Sequence, residues 1–140
     1  MSTDAQIEAE IQAKGKTAAR ITPADIEANI ASEHYFTASE GVQGATKCDI
    51  TAGPLDLLTF CVLVLRNGFT VTGESACASP ENFDAEIGRK VARANAVQKI
   101  WPLMGYELRS QLAAKAADDN DFALGKACDL SGEGTCEACQ

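Results

Sequence analysis

An apolar run of nine residues, interrupted only by Thr59, constrains the fold of this chain more than any other feature. Residues 57–65 have the length and β-branched content of a strand. Asn67-Gly68 is a two-residue turn, after which residues 69–72 return as a second strand. The first strand is apolar on both faces, and a two-stranded ribbon cannot bury both faces within itself. We therefore expect helices, or another subunit, to cover the hairpin on both sides.

Helix signals precede the hairpin. The first twenty residues have the pattern of a polar helix interrupted at Gly15. Thr22-Pro23-Ala24-Asp25 combines an N-cap, a proline at the first helical position and a capping acid, which predicts a short helix from about Pro23 to His34. The glycine-rich stretch from Thr37 to Pro54 is predicted to be a long loop, with a short strand at Lys47–Ile50.

A longer helix is predicted after the hairpin. Ser79 and Pro80 have the residue types of an N-cap and a first helical position. An apolar stripe at helical spacing then predicts a helix that faces the core through Phe83, Ile87, Val91, Ala94, Val97 and Trp101. Pro102 is expected to stop or kink this helix, and the helical pattern continues to about Ala117.

These elements predict an α+β fold: an antiparallel β-hairpin packed with a short N-terminal helix and a long C-terminal helix, kinked at a Trp-Pro corner. We divide the chain into a polar arm (residues 1–21), a core domain of hairpin and helices (residues 22–117) and an acidic flexible tail (residues 118–140). No second full-sized domain fits within 140 residues.

Charge and hydropathy exclude several function classes. The longest apolar run is less than half of the roughly twenty residues that a membrane-spanning helix needs. The N-terminus has no signal-peptide pattern, so we expect a cytoplasmic protein. A net charge of −8 disfavours binding to long nucleic acids, although residues 66–115 carry seven basic and five acidic side chains. Such a local excess of positive charge is compatible with a small anionic ligand.

The candidate binding residues lie around the start of the long helix. Arg89 and Arg93 are four residues apart, so two guanidinium groups one turn apart could grip a phosphate; alternatively they form a solvated face with Glu86 as partner. Asn82, Phe83 and Asp84 lie where free backbone N–H groups of the helix start could bind an anion, but Asn82 and Asp84 are equally ordinary residues of a helix start. Phe69, like Trp101, could stack on a base or belong to the core.

Catalytic and metal-binding patterns are weak. The sequence contains no phosphate-binding loop, nucleophile elbow or zinc-protease motif, so we expect no enzyme activity. Cys128, Cys136 and Cys139 offer three thiolates where a closed zinc site needs four, and we assign no metal and no cofactor.

Three segments carry a resemblance to a known family: the hairpin from Leu65 to Cys77, the helix start from Asn82 to Lys90, and the Trp-Pro corner from Lys99 to Tyr106. Across about residues 22–112 the chain resembles small phage proteins, some of which are Thoeris anti-defence proteins. Those relatives act as sponges for nucleotide signals of bacterial immunity. They bind glycocyclic ADP-ribose, and some also bind cyclic oligonucleotides in a hexamer.

The resemblance implies a non-enzymatic protein of an infected bacterial host that sequesters a cyclic nucleotide. It implies that Arg89 and Arg93 hold the pyrophosphate, that Asn82 and Asp84 bond ribose or base edges, and that Phe69 stacks on adenine. It also implies a homo-oligomer built from dimers, up to a hexamer. The alternative is a structural or interaction protein of a phage or prophage with no nucleotide ligand.

Overall fold

The computed structural model describes residues 3–49 and 53–123, with side chains to residue 120. The chain divides into two units, residues 1–105 and residues 106–140. The first unit has an α+β fold, in which a three-stranded antiparallel sheet packs against helices. In chain order the elements are α1 (Asp4–Ala13), α2 (Pro23–Asn29), β1 (Ile30–Thr37), α3 (Ala38–Thr46), β2 (Leu58–Leu65), β3 (Thr70–Ala76) and α4 (Ala85–Ala123).

The predicted hairpin is confirmed and forms two thirds of the sheet. The strands β2 and β3 pair antiparallel from Val64–Thr70 to Leu58–Ala76, so the returning strand is longer than predicted. Gly68 lies in the turn with φ of 86°, a left-handed conformation that glycine adopts without a steric penalty. The third strand, β1, pairs with the other side of β2, and β2 is therefore the central strand.

The helix predicted from Pro23 to His34 is correct only in its first half. Its start is confirmed, because Thr22 and Asp25 form the expected reciprocal cap. The helix ends at Asn29, and the next eight residues form β1. These residues include β-branched and aromatic types, which favour strands. Their pairing with the edge of β2 also satisfies the N–H and C=O groups of β2, which would have no strand partner on that side if α2 were longer.

The predicted loop from Thr37 to Pro54 contains a helix, α3. Thr37 and Glu40 form a capping box in which each side chain accepts a hydrogen bond from the other residue's backbone N–H. Lys47 ends the helix in a left-handed conformation. The strand predicted at Lys47–Ile50 is wrong for residues 47–49, and Ile50 lies outside the described residues. The Thr-x-x-Glu signal in the sequence pointed to this helix despite the nearby glycines.

The long helix α4 starts later than predicted. Pro80–Asn82 form a separate 3-10 turn, and Phe83 is extended. Asp84 then caps α4, because its side chain accepts a hydrogen bond from the N–H of Ile87 at 3.0 Å. The helix continues through Pro102 to Ala123. Proline has no backbone N–H, so the helix lacks the hydrogen bond from residue 102 to the carbonyl oxygen four residues earlier. Residues 118–123 of the predicted tail are thus helical, and Cys128, Cys136 and Cys139 lie outside the described residues.

The core lies between one face of the sheet and α4. Its buried apolar residues are Ile26, Cys61, Leu63, Leu65, Val71, Ala92, Ala96 and Ile100. The predicted core stripe of α4 is therefore wrong in part: Ile87 is 60% exposed and Val91 is 43% exposed. Gly73 explains the difference, since a Cβ there would lie 2.0 Å from the carbonyl oxygen of Ala92. Only the small-residue face of α4 can approach β3 so closely.

An ion pair within the N-terminal arm holds α1 to the segment that leads into α2. The guanidinium of Arg20 donates two hydrogen bonds to the carboxylate of Glu8 in α1. Ile7 and Ile11 face a cavity that Ile21 and Trp101 also line. None of the helices within residues 3–49 and 53–123 combines the length and apolar composition needed to cross a membrane.

Candidate functional site

Two adjoining cavities lie near the start of β2 and share Thr59 and Phe83. The first, which we name the Arg89 cavity, has a volume of about 160 Å³ and is lined by Tyr35, Phe36, Thr37, Glu40, Thr59, Phe83, Ala85 and Arg89. The second, the Ile87 cavity, has a volume of about 270 Å³ and is lined by Ile87, Asn82, Asp84, Ser75 and apolar residues including Leu57 and Val91. Each is smaller than the ~300–1,000 Å³ of a typical small-molecule site, so a nucleotide would have to span both.

The two cavities are separated where Gly88 of α4 packs closely against Thr59 of β2. Thr59 is 3% exposed, and a Cβ on Gly88 would lie 3.1 Å from its hydroxyl oxygen. Phe83 reaches both cavities because the chain is extended between the 3-10 turn and α4. The site therefore depends on the late start of α4, which Asp84 fixes.

The Arg89 cavity combines one cation with aromatic rings. Among the residues that the structure describes, Arg89 has no ion-pair partner. Burial raises the pKa of Tyr35 to about 12, so its phenol stays protonated and can donate a hydrogen bond. Phe36 stacks on Phe60 with ring centroids 5.4 Å apart. The carboxylate of Glu40 is held at the start of α3, where it accepts a hydrogen bond from the N–H of Thr37.

The structure does not bring Arg93 to the same site. Its guanidinium donates to both carboxylate oxygens of Glu27, at 3.0 and 2.7 Å, and to Glu33 at 2.8 Å. These two carboxylates raise the pKa of Arg93, and the guanidinium lowers the pKa of Glu27. Arg93 thus ties α2 and β1 to α4, and a phosphate would have to displace two carboxylates to reach it.

The alternative partner predicted for the arginines is also different. Glu86 forms an exposed ion pair with Lys90, at 2.9 Å, one turn further along α4. The expected pairing of Glu86 with these arginines is therefore not found, and Lys90, four residues after Glu86, is its partner instead.

The remaining predicted residues fall in two places. Asn82 and Asp84 line the Ile87 cavity, as the prediction of a shared site at the helix start requires. One carboxylate oxygen of Asp84 already accepts the N–H of Ile87. Phe69 is 54% exposed and follows the turn after β2, whereas Thr59 lies near the beginning of that strand. About 20 Å of strand separates these positions, so Phe69 cannot stack on a ligand held in either cavity.

Sequence reasoning missed one wall of the site. Tyr35, Phe36, Thr37 and Glu40 come from the segment predicted as helix and loop. The consecutive strand-favouring residues Tyr35, Phe36 and Thr37 were the available signal for a strand. Within the described residues no group of three or more histidine, cysteine or acidic side chains could hold a metal ion.

Comparison with protein families gives a match over most of the described core. A family described as "Phage protein (N4 Gp49/phage Sf6 gene 66) family" matches residues 21–112, about two thirds of the chain. This range contains both cavities and excludes α1. No curated protein and no solved structure matches the chain.

Proposed function

We propose that this chain, which belongs to this phage protein family, is an anti-defence protein. It sequesters a nucleotide signal without converting it. The ligand class is a cyclic nucleotide of the Thoeris type, glycocyclic ADP-ribose, with cyclic oligonucleotides as a related class. Binding would take place in the cytoplasm of the infected host and would keep the signal from its effector.

The observation that carries this proposal is the position of Arg89. A guanidinium that forms no ion pair among the described residues lies at a cavity lined by two aromatic residues on the α4 side of the sheet, Tyr35 and Phe83. A guanidinium group can donate hydrogen bonds to two oxygens of one phosphate at the same time, and the face of an aromatic ring can stack on a base. The phosphate would therefore lie at Arg89, and the rest of the nucleotide would extend past Phe83 into the Ile87 cavity.

In this proposal Arg93 has a supporting role. The carboxylates of Glu27 and Glu33 already accept hydrogen bonds from the guanidinium N–H groups of Arg93 that a phosphate would need. Asn82 and Asp84 line the Ile87 cavity, where their polar groups would bond the ribose or the base edge. This assignment keeps four of the six predicted residues at the site: Arg89, Phe83, Asn82 and Asp84.

Calorimetric titration with glycocyclic ADP-ribose tests the proposal. The variant Arg89→Gln should weaken binding at least tenfold, which corresponds to about 1.4 kcal/mol. Lys90→Gln is the matched control, since this neighbouring cation already pairs with Glu86 and should leave the affinity unchanged. Heating the complex should then release the intact ligand. Recovery of a cleaved product would contradict sequestration, and equal affinity of the wild type and Arg89→Gln would refute the site.

The second candidate is a structural or interaction protein of a phage. The exposed apolar side chains of Ile87 and Val91 on α4 favour it, because such residues commonly contact a partner. A thermal-shift screen separates the two candidates: ADP-ribose derivatives and cyclic dinucleotides should raise the melting temperature only if the cavities bind nucleotides.

A further inference from the structure

A separate cavity, which we name the Trp101 cavity, lies between the N-terminal arm and α4 and has a volume of about 250 Å³. One face of α1 forms its first side, through residues spaced three, four and seven apart: Asp4, Ile7, Glu8 and Ile11. Trp101 and Ile21 belong to the opposite side. The cavity shares no residue with the Arg89 cavity or the Ile87 cavity.

The walls of the Trp101 cavity are mainly apolar. Small-molecule sites combine such walls with a few polar groups that fix the orientation of the ligand. The isoleucines can enclose a hydrocarbon body, and the ring face of Trp101 attracts a positive charge more strongly than any other aromatic side chain does. The volume is below the roughly 300–1,000 Å³ of a typical site, so the ligand is small.

The charged groups at this cavity are all negative. Its described lining residues include the carboxylates of Asp4 and Glu8 but no lysine, arginine or histidine. Glu8 is already neutralised, because its two oxygens accept hydrogen bonds from the guanidinium of Arg20 at 2.5 and 2.6 Å. Asp4 forms no ion pair within the part of the chain that the structure describes. The cavity therefore offers one carboxylate without a counter-charge, next to apolar walls and an indole ring.

We propose that the Trp101 cavity binds a small organic cation, that is, an amine or quaternary ammonium group attached to an apolar body. The ammonium group lies between the carboxylate of Asp4 and the ring of Trp101, and the apolar body packs against the isoleucines. A neutral apolar ligand would remove water from the carboxylate without replacing its hydrogen bonds, and an anion would be repelled. The net charge of −8 also favours cations over anions at this surface.

This site is independent of the proposed nucleotide site and depends on the arm. Residues of α1 lie outside the range that the phage family matches, whereas Ile21 and Trp101 lie inside it. The ion pair between Arg20 and Glu8 holds α1 to the segment that leads into α2, and its side chains are 23% and 18% exposed. The arm thus supplies both the carboxylate and one apolar wall to the core of the protein.

Fluorescence titration of Trp101, the single tryptophan, tests the proposal on the wild type. The probe is benzylammonium, with benzyl alcohol as its neutral analogue and benzoate as its anionic analogue. Benzylammonium should change the emission and bind at least tenfold more tightly than either analogue. Its affinity should fall as salt is added, because ions screen the attraction to Asp4. An emission that benzylammonium leaves unchanged, or benzyl alcohol binding as tightly as benzylammonium, would overturn the proposal.

A pair of charge variants locates the site. Asp4→Asn should weaken the binding of benzylammonium at least tenfold. Glu10→Gln is the matched control, since it removes one carboxylate from a residue of α1 that does not line the cavity, and it should leave the affinity unchanged. The emission of each variant without ligand shows whether α1 stays next to Trp101. Equal affinity of the wild type and Asp4→Asn would overturn the proposal, and so would an equal loss in both variants, since the overall negative charge would then explain the binding.

Discussion

Substitution of Gly73 by alanine should destabilise the protein although alanine is the better residue for a strand. An added Cβ would lie 2.0 Å from the carbonyl oxygen of Ala92 and 2.4 Å from the backbone nitrogen of Ala96. Both obstacles are backbone atoms of α4, so no side-chain rotation can relieve them. Reaching even 3.0 Å requires α4 and β3 to move about 1 Å apart, which also opens the packing of the buried alanines.

The expected cost follows from overpacking a dense core. Added methyl groups in a well-packed core cost about 1–3 kcal/mol, and a contact with backbone belongs at or above the upper end. We expect a loss of about 3 kcal/mol in the free energy of unfolding, measured by urea denaturation at one fixed protein concentration. The same loss should lower the melting temperature by about 10 °C.

The matched control is Gly44→Ala in α3. No atom lies within 4 Å of a Cβ at this position, and its φ is not positive. Alanine should therefore stabilise the helix by about 0.5–1 kcal/mol. A Gly73→Ala variant as stable as the wild type would refute the close approach of α4 to β3.

Two further predictions concern ion pairs. Arg93→Gln should cost about 1 kcal/mol at low salt, and the cost should fall as salt is added, because its pair with Glu27 is partly exposed. The guanidinium lowers the pKa of Glu27, so the ion pair stabilises the folded protein at neutral pH. The difference in the free energy of unfolding between wild type and variant should shrink as pH falls below 4.5 and Glu27 becomes protonated. Urea denaturation at several pH values measures this difference. Arg20→Gln should raise the pKa of Glu8 from about 2 towards 4.5 in an NMR titration. It should also shift the fluorescence of Trp101, the single tryptophan, to longer wavelength as α1 moves away. An unchanged spectrum would show that the ion pair does not hold α1 near Trp101.

The candidate site was only partly predictable from the sequence. The residues of the α4 start were found because their types and spacing are local signals. The wall formed by Tyr35 and Glu40 was missed, since it exists only after β1 pairs with β2 and α3 folds back. The partners of Arg93 could not be identified either: Glu27 and Glu33 are 66 and 60 residues away in the chain.

The sequence by itself determined the hairpin, the capped helix start at Thr22, and the family to which residues 21–112 belong. These features depend on neighbours within a few residues, where turn geometry and capping hydrogen bonds act. The tertiary structure alone decided that residues 30–37 form a strand, because the open edge of β2 offers hydrogen bonds that compete with continuation of α2. It also decided which face of α4 is buried: hydrophobicity favoured Ile87 and Val91, but the close approach at Gly73 admits only Ala92 and Ala96.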